Sequence, residues 1–223
     1  QMIERSVIIS AGGIGKRMGA AIPKQFLNLV NRPVLFHTIE KFYQFDPEIQ
    51  IIVVLPANQL DYWKALCAKH EFGIEYAIAK GGKERFFSVK NALALAKGNV
   101  IGVHDAVRPL VSTEVIANCF SRAKEHGAAI PVFDISESIR KVDANGSKAV
   151  DRNSYKMVQT PQCFQRDIIK KAYSVDFSEE FTDDASVVEK NGTFIHLIEG
   201  NEANIKITRP IDLRMAETLL QGE

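Results

Sequence analysis

Residues 7–19 read Val7-Ile8-Ile9-Ser10-Ala11-Gly12-Gly13-Ile14-Gly15-Lys16-Arg17-Met18-Gly19. A short apolar run rich in β-branched residues is typical of a strand that is covered on both faces of a sheet. The glycines that follow it allow backbone N–H groups to approach an anion without obstruction by side chains. Because ligands bind at the carboxyl ends of strands in open parallel sheets, this stretch predicts an α/β fold with an anion-binding loop after its first strand.

Three further apolar runs of the same kind follow along the chain. They are the runs at 51–55, 100–103 and 128–132. Segments with apolar residues at three- to four-residue spacing lie between these runs, as from Val34 to Phe42, and a last helix is expected to start at Pro210. Strands that alternate with helices predict βαβ units, and hence a Rossmann-like three-layer sandwich with a mostly parallel sheet.

The regular alternation of strand and helix stops after Asp134. Strands are predicted at 138–142 and 148–152, with the turn signal Asn145-Gly146 between them, so we expect a hairpin with a bulged or wide loop. An isolated hairpin is only marginally stable in water. We therefore expect one domain over 1–223 with a projecting β-arm at about 135–153 that is used for homodimerisation; packing of the hairpin on its own sheet is the open alternative.

The bulk composition excludes several classes of protein. The chain has 223 residues, 46% of them hydrophobic, and a net charge of +1 without a basic stretch, so we expect no nucleic-acid partner. No apolar run approaches the roughly 18 residues that a membrane span requires, and no signal peptide is visible at the N-terminus. The three cysteines, at 67, 119 and 163, are far apart, which favours a reducing compartment and a cytoplasmic location.

Two common phosphate-binding motifs do not fit the glycine-rich loop. The dinucleotide-binding pattern G-x-G-x-x-G needs a third glycine where Met18 stands, which disfavours a nicotinamide-dependent reductase. The P-loop needs a glycine where Ser10 stands and a serine or threonine where Arg17 stands. Instead the loop continues to Pro23-Lys24-Gln25, so that Arg17 and Lys24 add two positive charges to the backbone donors.

The loop A-G-G-x-G-x-R-M followed by P-K-Q-F resembles the signature of sugar-phosphate nucleotidyltransferases, and it is similar to that of the 2-C-methyl-D-erythritol 4-phosphate cytidylyltransferase family. The resemblance implies transfer of a cytidylyl group from CTP to a small phosphorylated polyol in isoprenoid precursor synthesis by the non-mevalonate route. Arg17 and Lys24 would be catalytic, holding phosphates and stabilising charge at the reacting phosphorus. The loop would contact the nucleotide at Ala11, Gly12, Gly13 and Gly15.

A second motif runs from Gly81-Gly82-Lys83-Glu84-Arg85 to Ser88-Val89, which is expected to open a helix. It resembles the G-G-x-x-R-x-x-S-V segment with which the family reads cytosine through exposed backbone groups. The resemblance implies that Gly81, Gly82 and Ser88 bind the nucleotide. Lys83 departs from the acidic residue that the family often carries at this position.

A third motif, His104-Asp105-Ala106-Val107-Arg108-Pro109, follows the strand at 100–103 and resembles the family's H-D-A-x-R-P. An aspartate at the carboxyl end of a strand is well placed to hold Mg²⁺ or another divalent cation beside the nucleotide. Arg108 offers a planar fork for the phosphate of the acceptor. We interpret His104 as a packed residue at the strand end.

The resemblance extends through the arm to the C-terminal third of the chain. The matching stretches are Glu137-Ser138-Ile139-Arg140, Asp151-Arg152, Gln159-Thr160-Pro161-Gln162, Thr182-Asp183-Asp184-Ala185-Ser186 and Asn204-Ile205-Lys206-Ile207-Thr208-Arg209-Pro210. It implies that Lys206 is catalytic, near the α-phosphate and the metal. The acceptor would be bound by Ser138, Arg152, Thr160 and Thr182, with Arg152 reaching it across the dimer. Glu137 and Ser138 stand where the family has aspartate and most often threonine.

Two alternatives to this interpretation remain open from the sequence. A ribitol-5-phosphate cytidylyltransferase shares the loop and the fold, and a non-catalytic nucleotide sensor could share the fold. The catalytic hypothesis makes one geometric demand: Lys24, Asp105 and Lys206, which are far apart in the chain, must meet in one pocket. No general base is required, because the phosphate of the acceptor is already ionised at neutral pH.

Overall fold

The structure is a computed structural model that describes residues 3–11 and 22–222. Its strands are β1 (Arg5–Ser10), β2 (Asn28–Leu29), β3 (Arg32–Pro33), β4 (Gln50–Leu55), β5 (Ala77–Lys80), β6 (Val100–Asp105), β7 (Ala128–Asp134), β8 (Arg140–Asp143), β9 (Gly146–Ala149), β10 (Lys156–Val158), β11 (Gln162–Gln165) and β12 (His196–Glu199). Its helices are α1 (Val34–Phe45), α2 (Leu60–Lys69), α3 (Arg85–Leu93), α4 (Thr113–His126), α5 (Arg166–Ala172), α6 (Asp184–Lys190) and α7 (Pro210–Gln221).

Eight of the described strands form one central sheet. β1 lies between β4 and β6 and runs parallel to both, β5 continues parallel to β4, and β12 is parallel to β7. β11 is inserted antiparallel between β6 and β7. The predicted α/β class with a mostly parallel sheet is confirmed, and the antiparallel insertion follows the point where the regular alternation of strand and helix ends.

Successive residues of the sheet face two different helical layers, because side chains alternate along a strand. In β1, Val7 and Ile9 are fully buried in a core cluster with residues of α1, α2 and α4. Ile8, also fully buried, packs in a second cluster with residues of α3, α5 and α6. The three-layer arrangement predicted from the continuously apolar strands is therefore confirmed.

β10 and β11 pair with the same edge of β7 but in different registers. Val158 lies opposite Val132, whereas Cys163 lies opposite Ala129, so four intervening residues on one side face two on the other. The additional length contains the Thr160–Pro161 peptide, which is cis. This irregularity brings Thr160 to the carboxyl end of β6, where the backbone N–H of Asp105 donates to its hydroxyl over 3.0 Å.

A third, smaller apolar cluster fixes the C-terminal part of the chain beside the loop after β6. Ala216 of α7 packs there with Ile207, Val107 and Leu110. The backbone N–H of Ile207 donates to the carbonyl of Val107 over 2.9 Å. The stretch that precedes α7 is thereby held against the loop that follows Asp105, and α7 begins at Pro210 as predicted.

The hairpin of β8 and β9 is tighter than the sequence predicted. Asp143 pairs with Gly146, so the loop contains only Ala144 and Asn145, and the predicted wide loop with strands at 138–142 and 148–152 is wrong. The turn is closed locally, because the carboxylate of Asp143 accepts from the N–H of Asn145 over 2.9 Å and Gly146 adopts a φ of +127°. Every residue of both strands is exposed, so the hairpin does not pack on the sheet of its own chain.

Candidate active site

A cleft of about 350 Å³ opens at the carboxyl ends of β1 and β6. Its lining includes Ala11, Lys24, Gly82, Ser88, Asp105 and Lys206. The volume lies within the range of about 300–1,000 Å³ that is usual for small-molecule sites. The three residues that had to meet in one pocket, Lys24, Asp105 and Lys206, therefore share this cleft.

Asp105 is the anionic centre of the cleft. One of its carboxylate oxygens, Oδ2, lies 3.0 Å from Nζ of Lys206 and 3.1 Å from Nε of Arg108. The other, Oδ1, lies 4.0 Å from the guanidinium of Arg85. Burial of this side chain acts to raise its pKa, but Lys206, Arg85 and Arg108 hold the pKa of Asp105 well below its usual range. Asp105 is therefore ionised at neutral pH.

Lys24 is positioned by the two residues that follow it. It begins a 3-10 turn, Lys24–Phe26, in which Gln25 is buried and donates to the carbonyl of Ala11 over 3.0 Å and to Gln59 over 2.8 Å. Phe26 is buried in the core beside Trp63. These contacts attach the turn to the end of β1, which is why Lys24 lines the cleft.

Lys206 is positioned by hydrogen bonds of its neighbours. The fully buried Asn204 donates to the carbonyl of Thr160 over 2.9 Å, and its own carbonyl accepts from Arg108 over 2.7 Å. Ile207 is tied to the loop after β6, as described above. With Asn204 and Ile207 held, the half-exposed side chain of Lys206 extends toward Asp105.

The glycine segment before α3 forms another wall of the cleft. The N–H of Gly82 donates to the hydroxyl of Ser88 over 2.9 Å, and a Cβ at Gly82 would lie 2.4 Å from Cβ of Phe87. Residue 82 therefore has no room for a side chain. The helix begins at Arg85, three residues earlier than the sequence predicted, and the buried Ser88 serves the loop rather than opening the helix.

Gly81 has a different role from Gly82. Its N–H donates to the carbonyl of Leu55 over 2.9 Å, which fastens the segment to the end of β4. The structure does not place Gly81 on the lining of the cleft. Nucleotide binding by Gly81 stays a prediction from the family resemblance.

His104 and Thr160 form a buried chain of hydrogen bonds behind Asp105. The hydroxyl of Thr160 accepts from the N–H of Asp105 and lies 2.9 Å from Nδ1 of His104, while Nε2 of His104 lies 3.0 Å from the carbonyl of Arg108. Burial lowers the pKa of His104 to about 4, so the ring is neutral at pH 7. The neutral ring accepts from Thr160 and donates to Arg108, as this geometry requires.

The same contacts bear on two predicted acceptor ligands. Thr160 is buried and its hydroxyl is directed to His104 and Asp105 rather than to the cleft. Arg108 is also largely buried, and its guanidinium donates to Asp105 and to the carbonyl of Asn204. In this structure Thr160 and Arg108 hold Asp105 through hydrogen bonds to its backbone and to its carboxylate. Contact of either residue with an acceptor stays a prediction.

The other three predicted acceptor ligands lie on exposed segments. Ser138 precedes β8, Arg152 follows β9 and donates to the carbonyl of Ser136, and Thr182 lies just before α6. The single chain brings none of these three to the described lining of the cleft. Four predicted residues of the triphosphate loop, Gly12, Gly13, Gly15 and Arg17, lie outside the described residues, and their roles stay predictions.

The sequence interpretation missed Arg85 as a site residue. Its side chain lines the cleft, and its guanidinium lies 2.6 Å from Oδ2 of Asp184 on α6. Although burial acts to lower it, the neighbouring carboxylates of Asp184 and Asp105 raise the pKa of Arg85. Arg85 was visible in the second motif, but nothing local in the sequence indicates that a residue 99 positions away supplies its partner.

A divalent cation at this site fits the chemistry of the residues present. Within the described ranges, no group of three or more His, Cys, Asp or Glu side chains could hold a metal ion by itself. Mg²⁺ beside phosphate substrates commonly takes only one or two carboxylates, and substrate oxygens and water complete its coordination. The ionised Asp105 faces a cleft whose lysines could bind phosphates. This arrangement suits a cation whose coordination is shared between Asp105 and a substrate.

The carboxyl edge of the sheet gathers a glycine segment, two lysines and an ionised aspartate, an arrangement that suits an α/β enzyme acting on phosphorylated substrates. The sequence model of the 2-C-methyl-D-erythritol 4-phosphate cytidylyltransferase family (IspD) matches residues 6–222. The chain belongs to this family.

Individual relatives agree with this assignment. The chain is 54% identical over 217 residues to the 2-C-methyl-D-erythritol 4-phosphate cytidylyltransferase of Bacteroides fragilis, covering 97% of this chain and 99% of the relative. It is 52% identical over 219 residues to that of Bacteroides thetaiotaomicron, covering 98% of this chain and 100% of the relative.

Solved structures with similar names also match along nearly the whole chain. The crystal structure of the cytidylyltransferase from Thermus thermophilus matches with a TM-score of 0.79 at 30% identity, covering 98% of this chain and 100% of the other. The 4-diphosphocytidyl-2C-methyl-D-erythritol synthase from Anaerococcus prevotii matches with a TM-score of 0.83 at 25% identity, covering 98% and 96%.

Proposed function

We propose that this protein transfers the cytidylyl group of CTP to 2-C-methyl-D-erythritol 4-phosphate, which releases pyrophosphate and forms a CDP-alcohol for isoprenoid precursor synthesis. The observation that carries the proposal is the convergence of Lys24, Asp105 and Lys206 on one cleft. Membership of the cytidylyltransferase family over residues 6–222 supports the identity of both substrates.

The reaction is an in-line displacement at phosphorus. An ionised oxygen of the acceptor's phosphate forms a bond to the α-phosphorus of CTP, and the bond from that phosphorus to the β-phosphate bridging oxygen breaks. Pyrophosphate leaves with the electron pair of the broken bond. Lys24 and Lys206, together with Arg17, stabilise the negative charge of the transition state through preorganised electrostatic contacts.

The proposed reaction requires no general base from the chain. His104 is next to Asp105, but both of its ring nitrogens are engaged and it is fully buried. Its pKa of about 4 reflects a ring that stays neutral and structural at neutral pH. A nucleophile that is already ionised needs only to be positioned, which is the task that the cationic cleft performs.

Asp105 would hold Mg²⁺ or another divalent cation beside the triphosphate. When bound, such a cation supplies positive charge that lowers the repulsion between two phosphates. The chain's own part is to keep Asp105 ionised, which Lys206, Arg85 and Arg108 do. Thr160 fixes the backbone of Asp105 through its hydroxyl.

The chain is proposed to act as one domain over 1–223 that forms a homodimer through the β-arm at about 135–153. Val142 on β8 is 74% exposed, and exposed apolar side chains continue at Tyr155, Met157 and Val158 around β10. A second copy would cover this surface and could bring Ser138 and Arg152 to the acceptor in the opposite cleft. This accounts for predicted acceptor ligands that the single chain leaves away from the cleft.

The cytoplasm is the proposed location of the enzyme. Cys67, Cys119 and Cys163 are all free thiols, which suits a reducing compartment. In the part of the chain that the structure describes, no helix has the length and apolar character of a membrane span.

Pyrophosphate release in the presence of CTP and Mg²⁺ tests the proposed activity. The acceptors to compare are 2-C-methyl-D-erythritol 4-phosphate and ribitol 5-phosphate, and we expect turnover with the first. Turnover with ribitol 5-phosphate alone would assign the sister activity. Tight CTP binding without pyrophosphate release from either acceptor would indicate a nucleotide sensor.

A further inference from the structure

Arg85 lies between two carboxylates at the edge of the cleft. Its Nη2 is 2.6 Å from Oδ2 of Asp184 and 4.0 Å from Oδ1 of Asp105. The side chain is 35% exposed, whereas that of Asp184 is 0% exposed. Arg85 can therefore contact a bound ligand, and Asp184 cannot.

Asp184 is held from a second direction by Tyr173. The hydroxyl of Tyr173 donates to Oδ1 of Asp184 over 2.6 Å, so both oxygens of this carboxylate have partners. Tyr173 is itself 2% exposed and its ring stacks on Phe86, the neighbour of Arg85, at a centroid distance of 4.8 Å. The carboxylate and the helix that carries Arg85 are thus fixed relative to one another.

The first turn of α6, which carries Asp184, is attached to the central sheet. The side chain of Gln162 on β11 accepts from the N–H of Ala185 over 2.8 Å and donates to the carboxylate of Asp183 over 2.8 Å. Because β11 pairs with β6, these bonds set the position of Asp184 relative to Asp105 at the end of β6. The network therefore determines where the guanidinium of Arg85 lies with respect to the anionic centre of the cleft.

A buried carboxylate is expensive to desolvate, and the hydrogen bonds from Arg85 and Tyr173 to Asp184 offset part of that cost. Arginine has five N–H donors in a rigid fork. The bond to Asp184 occupies one side of the guanidinium of Arg85, and the exposed part of the side chain adjoins the cleft. A phosphate placed beside Asp105 and Lys206 would meet these remaining donors.

We propose that Arg85 is a further phosphate-contacting cation of the cleft, acting on the phosphoryl group beside Asp105, and that Asp184 and Tyr173 are positioning residues that orient its guanidinium. The inference rests on the proposed nucleotidyl transfer and deepens it. It adds one side chain that touches substrate and two that act only through that side chain.

A double-mutant cycle on turnover tests whether Asp184 acts through Arg85. The variants are Arg85→Met, Asp184→Asn and the combination, with pyrophosphate release measured at saturating CTP and acceptor. We expect each single variant to lower kcat at least tenfold. The double variant should have the kcat of Arg85→Met within about a factor of two, because removal of Asp184 has no further effect once Arg85 is absent.

Two conservative variants and one control complete the experiment. Arg85→Lys keeps the charge but loses the fork and should also lower kcat at least tenfold. Tyr173→Phe keeps the stacked ring and removes the hydrogen bond to Asp184, so it should lower kcat severalfold. This variant tests the positioning role if Asp184→Asn fails to fold. Arg5→Lys is the matched control. Arg5 is 32% exposed, lies away from the cleft, and pairs with Asp46 at a distance of 2.8 Å. The kcat of this variant should be unchanged.

Wild-type kcat in Arg85→Lys would overturn the proposal. So would an Asp184→Asn effect on kcat that is equally large with and without Arg85, since the pair would then be structural only. Wild-type protein that binds CTP but releases no pyrophosphate would refute the proposed function alone. Calorimetry with CTP and Mg²⁺ would then decide the inference: at least tenfold weaker binding by Arg85→Met supports it, and unchanged binding refutes it.

Discussion

At the scale of single residues, the charge state of Asp105 is the feature on which the cleft depends. A largely buried carboxylate is unfavourable by itself, and this one is stabilised by Lys206 at 3.0 Å and Arg108 at 3.1 Å. These two partners are far apart in the chain. Their convergence keeps an anion available at the place where phosphates and a divalent cation would bind.

Lys24→Ala should lower kcat by about 10²–10³, or roughly 3–4 kcal/mol, because one preorganised contact to the reacting phosphate is lost. The thermal midpoint should stay close to that of the wild type, since Gln25 and Phe26, which attach this turn to the core, are unchanged. Steady-state kinetics and a thermal melt measure the two effects. Lys64→Ala, on the exposed side of α2, is the matched control. Near-normal turnover of Lys24→Ala would remove this residue from the mechanism.

His104 should make the protein less stable as the pH falls from about 6.5 toward about 4. Its pKa is about 4 in the folded protein against an ordinary value of 6.5, so in this range the unfolded chain binds a proton that the folded chain does not. At pH 5 the loss should be about 2 kcal/mol relative to pH 7. Urea unfolding at pH 7 and pH 5 measures it, and His104→Gln should show a correspondingly smaller loss. Equal losses in both proteins would contradict the buried neutral ring.

At the scale of secondary-structure elements, the loop between β5 and α3 has no space for a side chain at residue 82. The N–H of Gly82 reaches Ser88, and Cβ and C of Phe87 leave no space for a side chain at residue 82. At residue 82 the segment therefore presents backbone rather than a side chain to the cleft. This agrees with the family resemblance, in which the corresponding segment reads the base through backbone groups.

Gly82→Ala should weaken CTP binding at least tenfold, because the added methyl group would lie 2.4 Å from Cβ of Phe87 and force this segment to move. Calorimetry with CTP and Mg²⁺ measures the affinity. Gly73→Ala is the control, since an added Cβ there meets nothing within 4 Å. Unchanged affinity in Gly82→Ala would show that this segment does not contact the nucleotide.

At the scale of the whole molecule, the β8–β9 hairpin of the arm does not pack on the sheet of its own chain. Every residue of both strands is exposed, and Val142 is 74% exposed. The predicted acceptor ligands Ser138 and Arg152 lie on the segments that flank the hairpin. The proposed dimer, in which each arm reaches the other copy, would account for both observations.

Arg152→Ala should raise the KM for the acceptor at least tenfold and leave the KM for CTP nearly unchanged, because this arginine is proposed to bind the acceptor's phosphate from the opposite subunit. Steady-state kinetics with each substrate varied separately measures the effect. Light scattering should find a dimer for both proteins. A defect confined to CTP, or a fully active monomer, would contradict the arm model.

Much of the fold could be predicted because its signals are local. The apolar runs of β1, β4, β6 and β7 and the helical spacing of α1 are periodic patterns, and they need only neighbouring residues to be recognised. The short strand β11 lacks such a pattern, and its antiparallel insertion depends on partners at β6 and β7. The two-residue turn of the arm is closed by a side-chain bond of Asp143 and a positive φ at Gly146, which the spacing of residues does not show.

The sequence by itself determined the α/β class, the family, and the choice of Lys24, Asp105 and Lys206 as residues of one cleft, because these follow from local periodicity and from short motifs. Only the tertiary structure decided which side chains meet. Lys206 and Arg108 pair with the carboxylate of Asp105, Thr160 accepts from its backbone N–H, and Asp184 holds Arg85 from 99 positions away. The physical reason is that such contacts arise when packed strands and helices bring distant segments together, and no local pattern encodes the distance between them.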